Sequence, residues 1–389
     1  MAAAKQRQLD SRINAMPIIA CCYGTRPEFI KIAPVVKELK KNYPSINPVL
    51  ICSGQHQELL SSLDKIFGLT VQVDLNVRKK IGSTTNLSLL TEGVHAGFAG
   101  VLERIKPDAV LVQGDAASTF LAALAAFHQH IPIFYMEAGL RTYDLDQPFP
   151  EEAYRQMTTR ISKILFAPTK INKLNLINEG ITSDKIYVVG NSIIDSVSYI
   201  KNQFQKVAIE RLRKKYYPWL PSDGKVKLML VTIHRRENQG AVLDGILNTL
   251  IKIRRDNPNI QFVFSVHPNP QVRLLVYDKL KNVPGFTLIN PPLYQKFMIL
   301  LNCAQAVITD SGGLQEEAPS FGIPIIVVRK KTERVEGIQT GWSILAGVSE
   351  SGIVRAFNSL SKWQKPKGGN PYGDGKTSMR IAKIIYEKI

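Results

Sequence analysis

The sequence predicts an α/β protein: two Rossmann-like domains on parallel sheets, facing each other across a cleft. Three observations carry this expectation. Apolar runs of strand length alternate with segments of helical spacing along the chain. The runs are continuous Val/Ile/Leu stretches, as expected of strands covered on both faces in a parallel sheet. They fall into two series, and 389 residues suit two domains better than one.

In the first series, Pro17–Tyr23, Pro48–Cys52, Ala109–Val112, Ile131–Tyr135, Ile164–Ala167 and Lys185–Val189 read as strands, with helical segments at Glu28–Lys41 and Ser118–His128. A lysine-rich stretch, Tyr199–Gly224, precedes the second series. There Val226–Thr232, Ile260–Val266, Phe286–Ile289, Ala304–Ile308 and Ile323–Val328 read as strands, with helices at Gly240–Arg255 and Tyr294–Cys303. The domain change is expected near Asn191–Ser196, giving domains over 17–192 and 193–375. The polar leader, residues 1–16, is expected to be a disordered extension or to precede an alternative start at Met16.

Composition narrows the function classes. A hydrophobic content of 44% with 21% charged residues fits a folded globular protein. No apolar run reaches the roughly 18 residues needed to cross a bilayer, so no membrane insertion is expected. The net charge of +18 favours anionic ligands. The basic residues are scattered in short clusters without a nucleic-acid-binding signature, so no nucleic-acid partner is expected. Cys21, Cys22, Cys52 and Cys303 lie in or beside apolar runs with no Cys-x-x-Cys pair, which points to buried free thiols in a reducing, cytoplasmic setting.

The most informative segment is Thr309–Pro324. An apolar strand runs into Ser311-Gly312-Gly313, which opens a helix bearing Glu316 and Glu317, and a second apolar strand follows. Glycines let an anion approach the backbone, and the free N–H groups of a helix start point at it. A nucleotide-type ligand is the working expectation, with an ordinary helix cap as the plainer alternative. Gly24-Thr25-Arg26-Pro27-Glu28 likewise leaves the first strand and starts a helix, with Lys31 one turn in. Arg26 and Lys31 suit a diphosphate, Arg by its fork and Lys as a point charge. The Gly-x-Gly-x-x-Gly fingerprint is absent there, which argues against a nicotinamide or flavin enzyme.

Three carboxylates, Asp115, Glu137 and Glu151, follow strand ends or open a helix on one rim. Partly desolvated carboxylates there can serve as general acids and bases, although each alone could equally cap a helix or join a salt bridge. His234-Arg235-Arg236 follows the first strand of the second series. Glu316, Glu317, Glu333 and Arg334 could bracket a sugar. Asp144-Leu145-Asp146 has an Asp-x-Asp form that is by itself a very weak metal signal, and the pair His128/His130 lacks a third ligand nearby. Gly375-Lys376-Thr377 lacks the spacing and preceding strand of a phosphate loop. No metal and no cofactor are expected.

Taken in order, GTRPEFIKIAPVV, GQHQELL, QGDAAST, EAGLRTYD, PEEAYR, TIHRREN, VHPNP, DSGGLQEEAPSFG, TERVEG and NPYGDG resemble the motifs of the non-hydrolysing UDP-N-acetylglucosamine 2-epimerases from about Pro17 onward. The resemblance implies a fold like that of GT-B glycosyltransferases, with the C-terminal helix 376–389 packing back on the first domain. It implies reversible conversion of UDP-GlcNAc to UDP-ManNAc through loss of UDP, formation of 2-acetamidoglucal and re-addition, without metal or redox cofactor. That product would supply surface polysaccharide synthesis. Asp115, Glu137 and Glu151 would be the acid/base carboxylates, with His234 near the diphosphate. Arg26, Lys31, Ser311, Gly312, Gly313 and Glu317 would hold UDP, with Phe297 beside uracil and Arg334 nearby. Gln55, His56, Arg235 and His267 match positions that hold a second, activating UDP-GlcNAc in some members, and a homodimer is implied. The chain departs from the usual pattern at Ala116-Ala117, Tyr154, Pro292 and Lys330-Lys331. The alternatives are an epimerase on a related UDP-2-acetamido sugar, a glycosyltransferase of the same fold, and a nucleotide-sugar sensor without catalysis or a basic surface-binding protein exploiting the +18 charge.

Overall fold

A computed structural model describes residues 16–54, 65–82, 86–205, 209–220 and 226–389. The leader Met1–Ala15 and the expected effector residues Gln55 and His56 lie outside the described residues. The chain divides into two units. One extends to Ser192 and includes Lys376–Ile389, and the other is Ile193–Gly375.

The first unit comprises β1 (Ile18–Tyr23), α1 (Arg26–Asn42), β2 (Asn47–Cys52), β3 (Val73–Asp74), α2 (Val77–Ile81), α3 (Leu87–Ile105), β4 (Ala109–Gln113), α4 (Ala117–His128), β5 (Ile133–Met136), α5 (Glu151–Ile161), β6 (Ile164–Ala167), α6 (Lys170–Asn178) and β7 (Ile186–Val188). Its sheet has the order β3-β2-β1-β4-β5-β6-β7. Every pairing is parallel, with Ile19 opposite both Pro48 and Ala109. The continuous apolar runs have their cause here, because β4, β5, β6 and β1 beyond Ile18 are buried on both faces.

The second unit contains α7 (Ile193–Gln205), α8 (Ile209–Tyr216), β8 (Lys227–Thr232), α9 (Ala241–Asp256), β9 (Ile260–Ser265), α10 (Pro270–Leu280), β10 (Phe286–Ile289), α11 (Tyr294–Cys303), β11 (Ala306–Thr309), α12 (Gly312–Glu317), β12 (Ile325–Val327), α13 (Val335–Gln339), β13 (Ser343–Leu345) and α14 (Glu350–Ser359). Its sheet is again all parallel, in the order β10-β9-β8-β11-β12-β13. Its core joins Val231, Phe262, Phe264 and Ile308 on the strands to Leu247 and Leu250 on α9. The last helix, α15 (Thr377–Lys388), belongs to the first unit and packs on α1.

Two parallel-sheet α/β units therefore match the fold class read from the sequence. The structure adds the edge strands β3 and β13, whose two and three residues are too short to leave an apolar signature. It also trims Ile323–Val328 to Ile325–Val327. Pro324 has no N–H to give a ladder, and strand pairing begins after it.

In each sheet the strand order reverses at one point, between β1 and β4 and between β8 and β11. Neighbouring strands there send their connections to opposite faces, which leaves a crevice beyond their carboxyl ends.

Candidate active site

In the first unit, the chain leaves β1 through Gly24 and Thr25 and leaves β4 through Gly114 and Asp115. A Cβ on Gly24 would lie 2.3 Å from Ser53 Oγ and 2.7 Å from Ser118 Cβ, so only glycine lets the two connections approach this closely. Arg26 is the first residue of α1 and half-buried.

Glu137 stands just beyond β5 in the left-handed region, at φ +67°. For a non-glycine residue this conformation costs on the order of 1–3 kcal/mol and persists only where the surroundings hold it. They do so here. Lys31 Nζ donates to both carboxylate oxygens, at 2.8 and 2.7 Å. Gln113 Nε2 donates to Oε2, and Asn191 Nδ2 lies 3.5 Å from Oε1. The ammonium expected to face a diphosphate is thus engaged by a carboxylate. Both side chains are only 6% exposed. A small pocket, lined among others by Gln113, Val189, Asn191 and Ser192, adjoins the pair.

Asp115 and Glu137 follow adjacent strands, and the Tyr135 hydroxyl donates to Gly114 O at 2.9 Å between them. Burial pushes the Tyr135 phenol well above its ordinary value, so it stays a donor. Asp115 is held by Arg155, whose Nε lies 3.0 Å from Oδ2. Arg155 is almost fully buried, whereas Asp115 keeps about a third of its side chain exposed (34%). Arg155 also donates to Glu152 at 3.1 Å, and Glu152 accepts the amides of Thr142 and Tyr143. The second glutamate of the pair is therefore structural. Glu151, half-buried, opens α5, where a negative charge is favoured by the helix start.

In the second unit, the hydroxyls of Thr232 and Thr309 meet at 2.6 Å where β8 and β11 end. Asp310, fully buried, follows. It accepts the amides of His234 at 3.0 Å and Arg235 at 2.9 Å, and Asn238 Nδ2 at 3.0 Å. His234 Nδ1 lies 3.2 Å from the same carboxylate, and the His234 ring stacks on His267 at 5.5 Å.

Ser311 is the N-cap of α12, with Gly312 and Gly313 as its first turn. A Cβ on Gly312 would come within 2.6 Å of Arg334 Cζ. The Arg334 guanidinium therefore lies against the helix start, donating to Glu316 through Nε at 3.1 Å and to Glu333. Glu317 accepts the Tyr294 hydroxyl at 2.9 Å, and Phe297 stands one turn along the same helix, half-buried. Arg235 approaches Glu333 at 3.7 Å, and Arg329 donates to Glu333 at 2.9 Å. Burial lowers the Arg329 pKa against the pull of Glu333.

The structure brings together Lys31 with Glu137, His234 with Arg235 and His267, and Ser311–Gly313 with Arg334 and Glu317. Sequence reasoning passed over Gln113, Arg155, Asn191, Tyr294 and Asp310. Two signals were available. Gln113 is a polar residue closing an otherwise apolar strand, and Asp310 lies inside the most informative motif. No group of three or more potential metal ligands occurs among the described residues.

Comparison with known proteins places the chain in a family. The family model for UDP-N-acetylglucosamine 2-epimerase matches residues 37–386. A UDP-N-acetylglucosamine 2-epimerase of Neisseria meningitidis is 39% identical over 372 residues, covering 94% of this chain and 97% of that protein. The Escherichia coli K12 enzyme of the same name is 38% identical over 371 residues, covering 93% and 96%. Among solved structures, the Neisseria meningitidis UDP-GlcNAc 2-epimerase bound to UDP-GlcNAc superposes with a TM-score of 0.91 at 37% identity, covering 96% of this chain and all (100%) of that one. The Methanocaldococcus jannaschii enzyme in complex with UDP-GlcNAc and UDP gives 0.83 at 32% identity, covering 95% and 99%. With a family match over most of its length and relatives of this identity along nearly the whole chain, the protein belongs to the UDP-N-acetylglucosamine 2-epimerase family.

Proposed function

We propose that this chain interconverts UDP-GlcNAc and UDP-ManNAc by eliminating UDP to 2-acetamidoglucal and adding it back. The observation that carries the reading is Glu137: a carboxylate held in a costly backbone conformation, buried, and aimed by Lys31 and Gln113. Strain of this kind collects where a side chain must be presented in one orientation. The relatives named above, two of them solved with UDP-GlcNAc, support the choice of substrate.

The chemistry follows from the sugar. The C2 proton sits beside an acetamido nitrogen that offers little carbanion stabilisation, so its removal must accompany departure of the leaving group. A carboxylate takes the C2 proton, the C2–H electron pair becomes the C1–C2 double bond, and UDP leaves with the electrons of the C1–O bond. In the return step a proton is delivered to the other face of C2 and a diphosphate oxygen of UDP attacks C1. Two faces require two acid/base groups, which Asp115, Glu137 and Glu151 supply on one rim. Arg26, His234 and the Ser311–Gly313 amides stabilise the leaving diphosphate. Arg334, Glu317 and Phe297 hold the nucleoside. Arg235 and His267 remain candidates for an activating UDP-GlcNAc. On this reading the product supplies ManNAc units for surface polysaccharide.

The test is nuclear magnetic resonance of UDP-GlcNAc incubated with the protein in deuterated water. Deuterium at C2 with UDP-ManNAc appearing is the expected result. Free ManNAc with UDP would indicate hydrolysis instead, and an unchanged spectrum with binding demonstrated would overturn the reading.

A further inference from the structure

Glu28 belongs to none of the roles above, yet it is only 2% exposed and meets four polar groups in five contacts. Gly24 N and Thr25 N donate to Oε2 at 3.1 and 2.7 Å. Ser118 Oγ lies 2.8 Å from each oxygen. Thr119 Oγ1 lies 2.8 Å from Oε1 and, on its other side, 2.6 Å from the backbone carbonyl of Gln113.

Proton accounting decides what these contacts mean. A threonine hydroxyl carries one proton, and a backbone carbonyl can only accept. If Thr119 donates to Gln113 O, its contact with an ionised Glu28 sets two acceptors 2.8 Å apart with no proton between them. If it donates to Glu28, the 2.6 Å contact with the carbonyl is left in that state. A proton on Glu28 Oε1 removes the conflict: the carboxyl donates to Thr119, and Thr119 donates to Gln113 O. The two backbone amides and Ser118 are then accepted by the remaining lone pairs. Among the described residues no cation pairs with Glu28 to favour its ionised form, and burial raises its pKa against the lowering pull of its hydrogen bonds.

The position of this acid ties it to Glu137. Lys31 lies one turn after Glu28 on α1 and donates to Glu137. Gln113, reached through Thr119, donates to Glu137 with its side chain. We infer that Glu28 is a neutral carboxylic acid that positions Glu137, by clamping α1 and the end of β4 so that Lys31 and Gln113 converge on it. This rests on the epimerase reading for its catalytic consequence, but not for the protonation state.

Two measurements on the full chain decide it. The first is turnover of UDP-GlcNAc by Glu28→Gln and Glu28→Ala, each checked for native circular dichroism. Glutamine can donate to Thr119 and accept the amides as the neutral acid does. E28Q is expected to keep kcat within a few-fold of the parent. E28A is expected to lose on the order of a hundredfold in kcat, because small misplacements of a reacting group cost that much, with KM little changed. Equal loss in E28Q and E28A, or full kcat in E28A, would overturn the inference. The second is infrared spectroscopy near neutral pH. The parent is expected to show a protonated-carboxyl stretching band that is missing from E28Q, and a parent without it would overturn the neutral state. The infrared arm needs no turnover. An inactive parent would therefore count against the epimerase reading while that arm still decides the protonation of Glu28.

Discussion

Lys31 and Glu137 form a two-pronged, almost fully buried ion pair across 106 positions of sequence, with the ammonium 2.8 and 2.7 Å from the two carboxylate oxygens. It joins the helix after β1 to the residue after β5. It also holds a non-glycine residue at positive φ. A lysine read from its spacing as a phosphate ligand is, in the folded unit, a counter-ion that aims a carboxylate.

Removing one partner of a buried pair leaves the other charge uncompensated. Lys31→Met is therefore expected to lower stability by about 3–5 kcal/mol in denaturant titration and to reduce turnover. Glu137→Gln keeps the shape and is expected to lower kcat by about 10²–10⁴-fold while UDP affinity, measured by calorimetry, stays unchanged. Wild-type turnover in Glu137→Gln would remove this residue from the chemistry.

Asp310 acts through the loop it organises. It accepts two backbone amides and the Asn238 side chain, and it pairs with the His234 ring. Asp310→Asn turns an amide group toward donors and leaves buried N–H groups unsatisfied, at about 1–3 kcal/mol. The His234-Arg235 segment loses its fixed position, so kcat is expected to fall by about tenfold or more. Stability and kcat are measured together. A variant with wild-type values in both would show that the loop holds itself.

Gly312 is required by close approach rather than by backbone angle. An added methyl group would displace the Arg334 guanidinium, which Glu316 and Glu333 hold in place. Gly312→Ala is expected to weaken UDP binding by about tenfold, equivalent to roughly 1.4 kcal/mol, with little change in global stability. Calorimetry with UDP on the parent and the variant provides the comparison, and equal affinity would show that Arg334 has no part in the nucleotide site.

A raised Glu28 pKa has a definite thermodynamic sign. Below the ordinary value of 4.5, the folded and unfolded chains both hold this proton. As pH climbs above it, the unfolded chain releases the proton while the folded chain retains it, so stability declines until the folded group also ionises. Glu28→Gln has no such proton. The stability of the parent relative to Glu28→Gln is therefore expected to fall as pH rises above 4.5, in parallel denaturant titrations. A relative gain over the same interval would mean that the hydrogen bonds, not burial, dominate this carboxyl.

The architecture and the motif positions were legible in the sequence. Strands buried on both faces must be apolar throughout, so β1, β4, β5 and β6 were legible as runs, and their loops were legible from Gly24, Gly114 and Ser311–Gly313. In a parallel sheet the loops that follow the strands all leave from one edge, which is why loops far apart in sequence could be expected at shared strand ends. What sequence could not reveal is which polar partners meet there. Lys31 finds Glu137 rather than solvent, Arg155 divides itself between Asp115 and Glu152, and Asp310 organises the His234 loop. These pairings depend on distances between side chains brought together by the sheet register and the helix packing. A buried charge or hydrogen-bonding group takes whichever partner the fold puts within about 3 Å, because leaving it unpaired in a low-dielectric interior costs several kcal/mol. Spacing along the chain carries no record of that choice, which is made only when the folded sheets and helices bring the side chains within reach.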